Sequence, residues 1–193
     1  MLVLYFAPGS SSMAPHIALH EAGLPFEGRP VSFARREQRH AGLLAHNPAG
    51  MVPVLLTDGR PLTEVAAILY YIARAAPYAH LWPAEDPEAE AQALSWMSFI
   101  ASALHPARTQ GLEHVLSVYG LADQRLGNRR WAVGTYSVAD IHLFRLYWRM
   151  RNSIKSAARA FPSLEAHYEC MMQRPAVRRT IEIEQSIGYE LPP

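Results

Sequence analysis

The strongest constraint on the fold of this 193-residue chain is a change of hydrophobic period near residue 80. Before it, residues 2–6 (Leu-Val-Leu-Tyr-Phe) form an apolar, β-rich run, residues 13–22 carry a helical pattern ended by Gly23, and residues 30–33 read as a short strand. Two more strand segments, 52–57 and 60–62, are joined by Asp58-Gly59, the two-residue hairpin signal whose members tolerate left-handed backbone. Residues 64–74 close this region as a helix with one apolar face.

After residue 87 every periodic segment is helical. Residues 88–108 are long and alanine-rich, with Trp96, Phe99, Ile100 and Leu104 at helical spacing, and 112–126 form a second helix. Ser137-Val-Ala-Asp140 pairs a serine cap with an acid three residues on, and opens a helix whose Ile141, Phe144 and Trp148 share a face. Shorter helices follow at 163–173 and 176–185. Residues 78–87, with two prolines and little periodicity, read as a linker. The expected fold class is therefore an α/β domain of thioredoxin-like layout over residues 1–77, the linker at 78–87, and an all-α helical bundle over 88–193.

With half of its residues apolar, a chain of this length can bury a core as one large domain or two small ones. A formal charge of +1 gives no general attraction to nucleic acid or anionic membrane. No run of 18 apolar residues exists, and the N-terminus lacks a basic region before an apolar core, so neither a membrane span nor a secretory signal is expected. The single cysteine, Cys170, excludes an intrachain disulfide framework and suits a reducing cytoplasm. Arginine supplies nearly all of the positive charge, and Lys155 is the only lysine.

Four stretches carry chemistry: Ala7-Pro-Gly-Ser-Ser-Ser12 between the first strand and helix, Gly50-Met-Val-Pro-Val-Leu55, Thr63-Glu-Val65 at a helix start, and Trp96-Met-Ser-Phe-Ile-Ala-Ser-Ala-Leu-His105. Together they resemble the glutathione transferase superfamily, and most of all its bacterial beta class, over nearly the whole chain. The resemblance implies the α/β plus all-α architecture, a homodimer, glutathione as co-substrate, and conjugation of its thiolate to a small hydrophobic electrophile. It breaks at the position where that class usually carries a cysteine, because the motif aligns Ser11 there. The segment between His105 and Gly134 is also shorter than usual, which leaves the second-substrate site open or small.

Glutathione has an extended backbone that can pair like a β-strand, carboxylates that favour helix N-termini or arginine, and a thiol that must ionise to become a nucleophile. The resemblance assigns Met51, Val52 and Pro53 to pairing with the peptide, through a cis Val52–Pro53 bond that turns the Val52 amide groups outward. A trans proline opening an ordinary strand is the alternative. Glu64 is expected to accept from the ligand's amino group and the Val65 N–H to donate to a carboxylate, although a helix-dipole acid would look the same in sequence. Arg36 falls where relatives often have a lysine for the glycine carboxylate, with Arg35 and Arg39 leaving the register open.

Ser11 is the expected donor to the glutathione sulfur, with Ser10 beside it at the ligand, Tyr5 as a second candidate donor, and helix capping as the alternative for any of the serines. Ser98, Ser102 and His105 recur at i, i+4 and i+7 and so fall on one side of a helix, where the resemblance implies that Ser98 and Ser102 hold the ligand and that His105, beside position 11, is a third catalytic candidate with Ser11 and Tyr5. His16 and His20 have the spacing of a metal pair without a third ligand, and no metal is expected. The stretch from Arg145 to Arg151 reads as an amphipathic helix with a solvated arginine face, and Cys170 as an inert buried thiol. A non-catalytic glutathione-binding or protein-interaction module on the same scaffold is the competing function.

Overall fold

The computed structural model describes residues 1–154 and 160–190, so Lys155 lies outside the described residues. The chain forms two compact units: Met1–Ala79 together with the segment from Pro175 onward, and His80–Arg174. This division differs from the sequence-based one, because the last helix belongs with the first unit.

In the first unit, β1 (Leu2–Phe6), α1 (Met13–Glu21), β2 (Phe26–Pro30), a tight turn at Glu37–Arg39, α2 (Ala41–Leu44), β3 (Val54–Thr57), β4 (Arg60–Leu62) and α3 (Val65–Ala75) follow in order. The strands form one sheet in the order β2-β1-β3-β4, with β1 parallel to β2 and antiparallel to β3. Alternation along β1 sends Val3 and Tyr5 to a face they share with Val54, Leu56 and Leu43 of α2. Phe6, on the other face, meets His16 of α1 with ring centroids 4.6 Å apart.

Helix α1 ends in a Schellman motif: Leu24 N–H bonds the Leu19 carbonyl at 3.2 Å and Gly23 N–H the His20 carbonyl at 3.2 Å, with Gly23 at φ 62°. Asp58 and Gly59 both have positive φ, 49° and 81°, as the hairpin reading requires.

Strand β2 lies earlier than the expected 30–33. Its register runs from Leu2 opposite Phe26 to Phe6 opposite Pro30, so its members are mostly exposed, and polar Glu27 and Arg29 suit an edge. Pro30, lacking an N–H, ends it. The apolar Val31 and Phe33 that suggested a strand instead pack against the Val3 and Val54 cluster.

The second unit holds α4 (Pro87–Phe99), a wider π turn (Ile100–Leu104), α5 (His105–Ala107), α6 (Leu112–Leu126), α7 (Val138–Ser153) and α8 (Pro162–Met172). Asp86 caps α4 by accepting from Glu88 N at 3.0 Å and Ala89 N at 3.1 Å. The expected linker is partly structural, since Leu81 and Trp82 are buried and the Leu81 carbonyl accepts from Val138 N at 3.0 Å.

Helix α7 is the centre of this unit. Every residue from Val138 to Trp148 is buried, including Arg145 at 5% exposure, so the solvated arginine face expected there is not present. A helix buried all round is a core element, whatever the polarity of its sequence. Its N-terminus carries the predicted capping box, and fully buried Asp140 does more than cap. Its Oδ2 accepts from Ser137 N at 2.9 Å, while its Oδ1 accepts from Ala132 N at 2.7 Å and lies 3.1 Å from His167 Nε2. Cys170, expected buried, is half-buried on α8.

Last, α9 (Pro175–Ile187) buries Val177, Thr180 and Glu184 on one face and packs on α1.

Burial, with the His105 and Arg145 charges adding, holds His142 at about 3, below the ordinary 6.5, and its Nδ1 has no hydrogen-bond partner. Between those values the unfolded chain binds a proton that the native one refuses, so stability rises with pH through this window and is lost as pH falls below 6.5. Urea unfolding at about pH 7 and about pH 5 should show His142→Leu retaining on the order of 2 kcal/mol that the wild type loses.

Candidate functional site

The candidate site is built from the loops at one end of the first unit's sheet, and its β1–α1 loop is held by internal hydrogen bonds. Fully buried Ser12 donates its hydroxyl to the Ala7 carbonyl at 3.1 Å and accepts from Ala7 N at 3.0 Å. Because that proton is spent on Ala7, Ser10 must donate across the 2.6 Å contact between the two hydroxyls. Ser10, expected at the ligand, is thus a buried internal brace at 6% exposure.

Ser11 differs from both neighbours. It is half-buried, it does not cap α1, whose N-cap position is Ser12, and among the described residues its hydroxyl has no protein partner.

A residue that sequence reasoning missed fixes this loop. Glu184 of α9 is fully buried, and its Oε2 accepts from Gly9 N at 2.6 Å while its Oε1 lies 2.9 Å from His16 Nδ1. The partners are 175 and 168 residues away, so nothing local announced them. His16 is therefore a partner of Glu184, and its ring lies 5.1 Å from that of His20 in an aromatic row. Among the described residues no three His, Cys, Asp or Glu side chains form a group that could hold a metal ion.

The Val52–Pro53 peptide is cis. Val52 and Pro53 are buried and Met51 is exposed. The β1–β3 ladder begins at Val54, and neither Val52 backbone group enters a turn or cap hydrogen bond among the described residues. Asn47 positions the approach by donating from Nδ2 to the Met51 carbonyl at 2.9 Å and accepting from Ala49 N at 3.1 Å.

Of the three arginines whose register was open, Arg39 reaches this loop: its Nη1 donates to the Ala49 carbonyl at 3.2 Å, and a Cβ on Gly50 would meet that nitrogen at 2.8 Å. Gly50, at φ 61°, is required by its left-handed backbone, and the Gln38 carbonyl, 3.0 Å from such a Cβ, adds crowding. Arg36 is exposed in the turn before, at φ 55°.

At the head of α3, Glu64 is exposed and held at φ 67°, ψ 122°, a conformation that costs a non-glycine residue about 1–3 kcal/mol. Its side chain caps nothing, so the first amides of α3, Val65 included, keep their donors free of a capping side chain. Tyr5 is drawn the other way: its hydroxyl accepts from Arg29 Nη1 at 2.8 Å on edge strand β2.

Ser98, Ser102 and His105 belong to the second unit. Ser98 and Ser102 are exposed and His105 is half-buried. They do not keep the row of an unbroken α-helix, because the π turn at Ile100–Leu104 intervenes and His105 N–H bonds the Ile100 carbonyl five residues back. Pro106 is the physical reason, since it offers no N–H and its ring would crowd the carbonyl four residues earlier. Burial, with Arg145 and Arg108 adding, holds His105 below the usual imidazole value.

A four-stranded sheet with helices against both of its faces and a cis-proline loop leading into β3, joined to a helical unit whose central helix α7 carries a capping box, defines the class; the comparisons define the family. The chain matches the glutathione S-transferase N-terminal domain over residues 10–75 and the glutathione S-transferase C-terminal domain over residues 85–175. Glutathione S-transferase GST-4.5 of Xanthomonas campestris pv. campestris is 30% identical, covering 94% of this chain and 98% of that protein. A sphingomonad glutathione S-transferase solved in complex with glutathione superposes with a TM-score of 0.84 at 36% identity, covering 95% of this chain and 98% of that one. A bacterial beta class enzyme from Sphingomonas chungbukensis gives 0.83 at 34% identity, with 94% and 98% covered. This chain belongs to the glutathione S-transferase family.

The neighbouring serines separate by stability. Ser12→Ala leaves the Ala7 amide and carbonyl and the Ser10 hydroxyl without their buried partner and should cost about 1–3 kcal/mol. Ser11→Ala, removing a hydroxyl that holds nothing, should stay within about 0.5 kcal/mol of wild type. Urea denaturation of the two variants checks both values.

Proposed function

We propose that the chain is a cytoplasmic, homodimeric glutathione transferase that conjugates glutathione to a small hydrophobic electrophile. The observation that carries this reading is Glu64, an exposed acid held in a strained backbone at a helix head without any internal hydrogen bond for its side chain. Strain of that kind persists where the surroundings impose it, and it collects at ligand clamps. The complex of the sphingomonad relative with glutathione supports the same choice of ligand.

In this reading Glu64 accepts from the ligand's amino group, the Val65 amide donates to its adjacent carboxylate, and the unused Val52 backbone groups pair with the peptide. Met51 and Pro53 shape the wall around that pairing. Arg39, with Arg36 further out in the same loop, offers a cation to the glycine carboxylate. Ser98, Ser102 and His105 are the second unit's proposed ligand contacts; His105, held below the usual imidazole value, acts as a neutral donor and not as a cation.

The chemistry needs a thiolate in place of a thiol. Ser11, the one serine of its loop with an uncommitted hydroxyl, donates to the sulfur, and the N-terminal end of α1 adds its positive potential. The thiolate attacks an electrophilic carbon, a C–S bond forms, and the displaced group leaves with its electron pair. Tyr5 is the second candidate donor: it accepts from Arg29 Nη1 at 2.8 Å, which draws its hydroxyl toward edge strand β2 while leaving its own proton uncommitted.

Thiolate absorbance of bound glutathione, titrated against pH, separates the roles. Ser11→Ala should raise the bound thiol's pKa by roughly a unit, while Tyr5→Phe leaves it in place. Glu64→Ala should instead weaken glutathione binding by about 1–3 kcal/mol in calorimetry, through loss of a charge-assisted hydrogen bond. Unchanged affinity in the Glu64 variant removes that residue from the site, and binding without turnover of an aryl halide would make the protein a non-catalytic glutathione binder.

A further inference from the structure

The second unit holds a cluster of cations drawn from two acid-free stretches of the chain. On α7, His142, Arg145 and Arg149 recur at i, i+3 and i+7 and so share one face of the helix. On α5 and just after it, His105 and Arg108 recur at i and i+3, and the π turn that leads into α5 packs on α7. Charge coupling brings the two sets together: Arg145 and Arg108 act on His105, Arg145 acts on His142, and Arg108 acts on Arg149. The cluster is graded in depth. His142 and Arg145 are buried, His105 and Arg149 are half-buried and Arg108 is exposed, so it opens to solvent at one end.

The sequence supplies no acid alongside them. No Asp or Glu occurs between Glu90 and Glu113, or between Asp140 and Glu165. The bounding acids on α7 and α8 are engaged elsewhere: Asp140 accepts from the Ala132 and Ser137 amides, while Glu165 pairs with Arg151 at 2.8 Å and accepts from Tyr147 at 2.7 Å. Arg151, two residues past Arg149, falls on the opposite side of α7. The charges that bear on His105, His142 and Arg149 are accordingly all positive. Both imidazoles are neutral at physiological pH, His142 at about 3 and His105 below its usual value, so the charge of the cluster is that of its three guanidinium groups. Like charges held this close repel, and an anion seated among them relieves the repulsion as well as pairing with each.

We infer that this cluster selects the second substrate, and that the preferred electrophile is an organic acid whose carboxylate is held by Arg108 and Arg149 in front of the buried Arg145. The inference rests on the transferase reading, which places His105 at the ligand. In that reading the carboxylates of glutathione are met by groups of the first unit, the Val65 amide and the arginines of the turn before α2, so the anion left for the second unit belongs to the other substrate. A guanidinium presents a planar fork that matches a carboxylate bidentately, and two of them at the solvent end of the cluster can share one such group. A neutral apolar electrophile would leave the repulsion between Arg108 and Arg149 in place.

Conjugation of glutathione to 4-chloro-3-nitrobenzoate, with 4-chloro-3-nitrobenzamide as the uncharged counterpart, tests this. In both, the thiolate adds at the chlorinated ring carbon, a C–S bond forms, and chloride leaves with its electron pair. With each rate divided by that of the uncatalysed reaction, the acid should be preferred about tenfold or more in kcat/KM. Arg149→Gln and Arg108→Gln should each bring that preference toward unity, chiefly by raising KM for the acid, and Arg149→Lys, which keeps the charge, should restore part of it. Calorimetry with 3-nitrobenzoate in the presence of S-methylglutathione reads the same site without turnover, and Arg149→Gln should weaken that binding about tenfold. Should that variant fail to fold, exposed Arg108→Gln decides. Equal use of acid and amide, an acid preference unmoved by the variants, or 3-nitrobenzoate that does not bind overturns the assignment, while turnover of the amide leaves the transferase reading standing. Arginine-dependent binding of 3-nitrobenzoate without turnover of either halide has the opposite meaning: the organic-acid site stands and the transferase reading fails.

Discussion

The buried carboxylate of Glu184 is the interaction on which the first unit's working end depends. An ionised carboxylate taken out of water costs several kcal/mol unless its oxygens are satisfied in place. Here one oxygen holds the Gly9 amide and the other His16, so a charge on the last helix anchors the loop that carries Ser11. The Ser10–Ser12 hydroxyl pair and the two Ala7 bonds complete the same loop from inside. The loop's backbone is thus over-determined, and Ser11 projects from a fixed base without helping to build it. A group that must meet a ligand in one geometry gains from such a base, because no ordering cost remains to be met on binding.

The second unit repeats the device with Asp140. That carboxylate gathers the Ala132 amide, the Ser137 amide and hydroxyl, and His167, all in the interior. Both acids read backbone N–H groups of a loop and lock it onto a helix. Glu64 is the contrast: it is exposed, strained and uncommitted. Buried acids with all oxygens engaged belong to the architecture, and on the proposed reading the exposed acid, whose backbone is held against its own preference, serves recognition.

The same distinction explains what was legible in the sequence. Local signals were reliable: Asp58-Gly59 specified its turn, Ser137 with Asp140 its capping box, and Gly23 the end of α1. Features set by distant partners were not. Strand β2 is polar because it is an edge, so period-two hydrophobicity pointed too late, to Val31 and Phe33. The helix from Pro175 reads like the other helices, and only long-range contacts, its packing on α1 and the pairing of Glu184 with Gly9 and His16, place it with the first unit. Arg145 looked solvated because its charge was weighed without knowing that α7 runs through the middle of its unit. The π turn follows from Pro106, a visible residue whose consequence for the row of Ser98, Ser102 and His105 depended on how the helix would accommodate it. Within the candidate site, the cis Val52–Pro53 peptide was legible and the hydrogen bonding of the serine loop was not. Three consecutive serines look alike in sequence, and only packing shows that two are braces and one is free.

The absence of a cysteine at position 11 is energetically tolerable on the proposed reading. A thiol of pKa about 8.5 needs a shift of about two units to be mostly ionised near neutrality, which is about 2.7 kcal/mol. One hydrogen bond to a charged acceptor contributes about 1.5–3 kcal/mol. A helix N-terminus adds about 0.3–1 kcal/mol. A single hydroxyl at Ser11 with α1 behind it therefore covers the requirement without a second donor and without an imidazolium, which His105, held below the usual imidazole value, would not supply. The same sum shows why Ser10 and Ser12 cannot substitute for Ser11. Their hydroxyl protons are already given to Ser12 and to Ala7, so recruiting either would break a buried bond of the same size as the one it made.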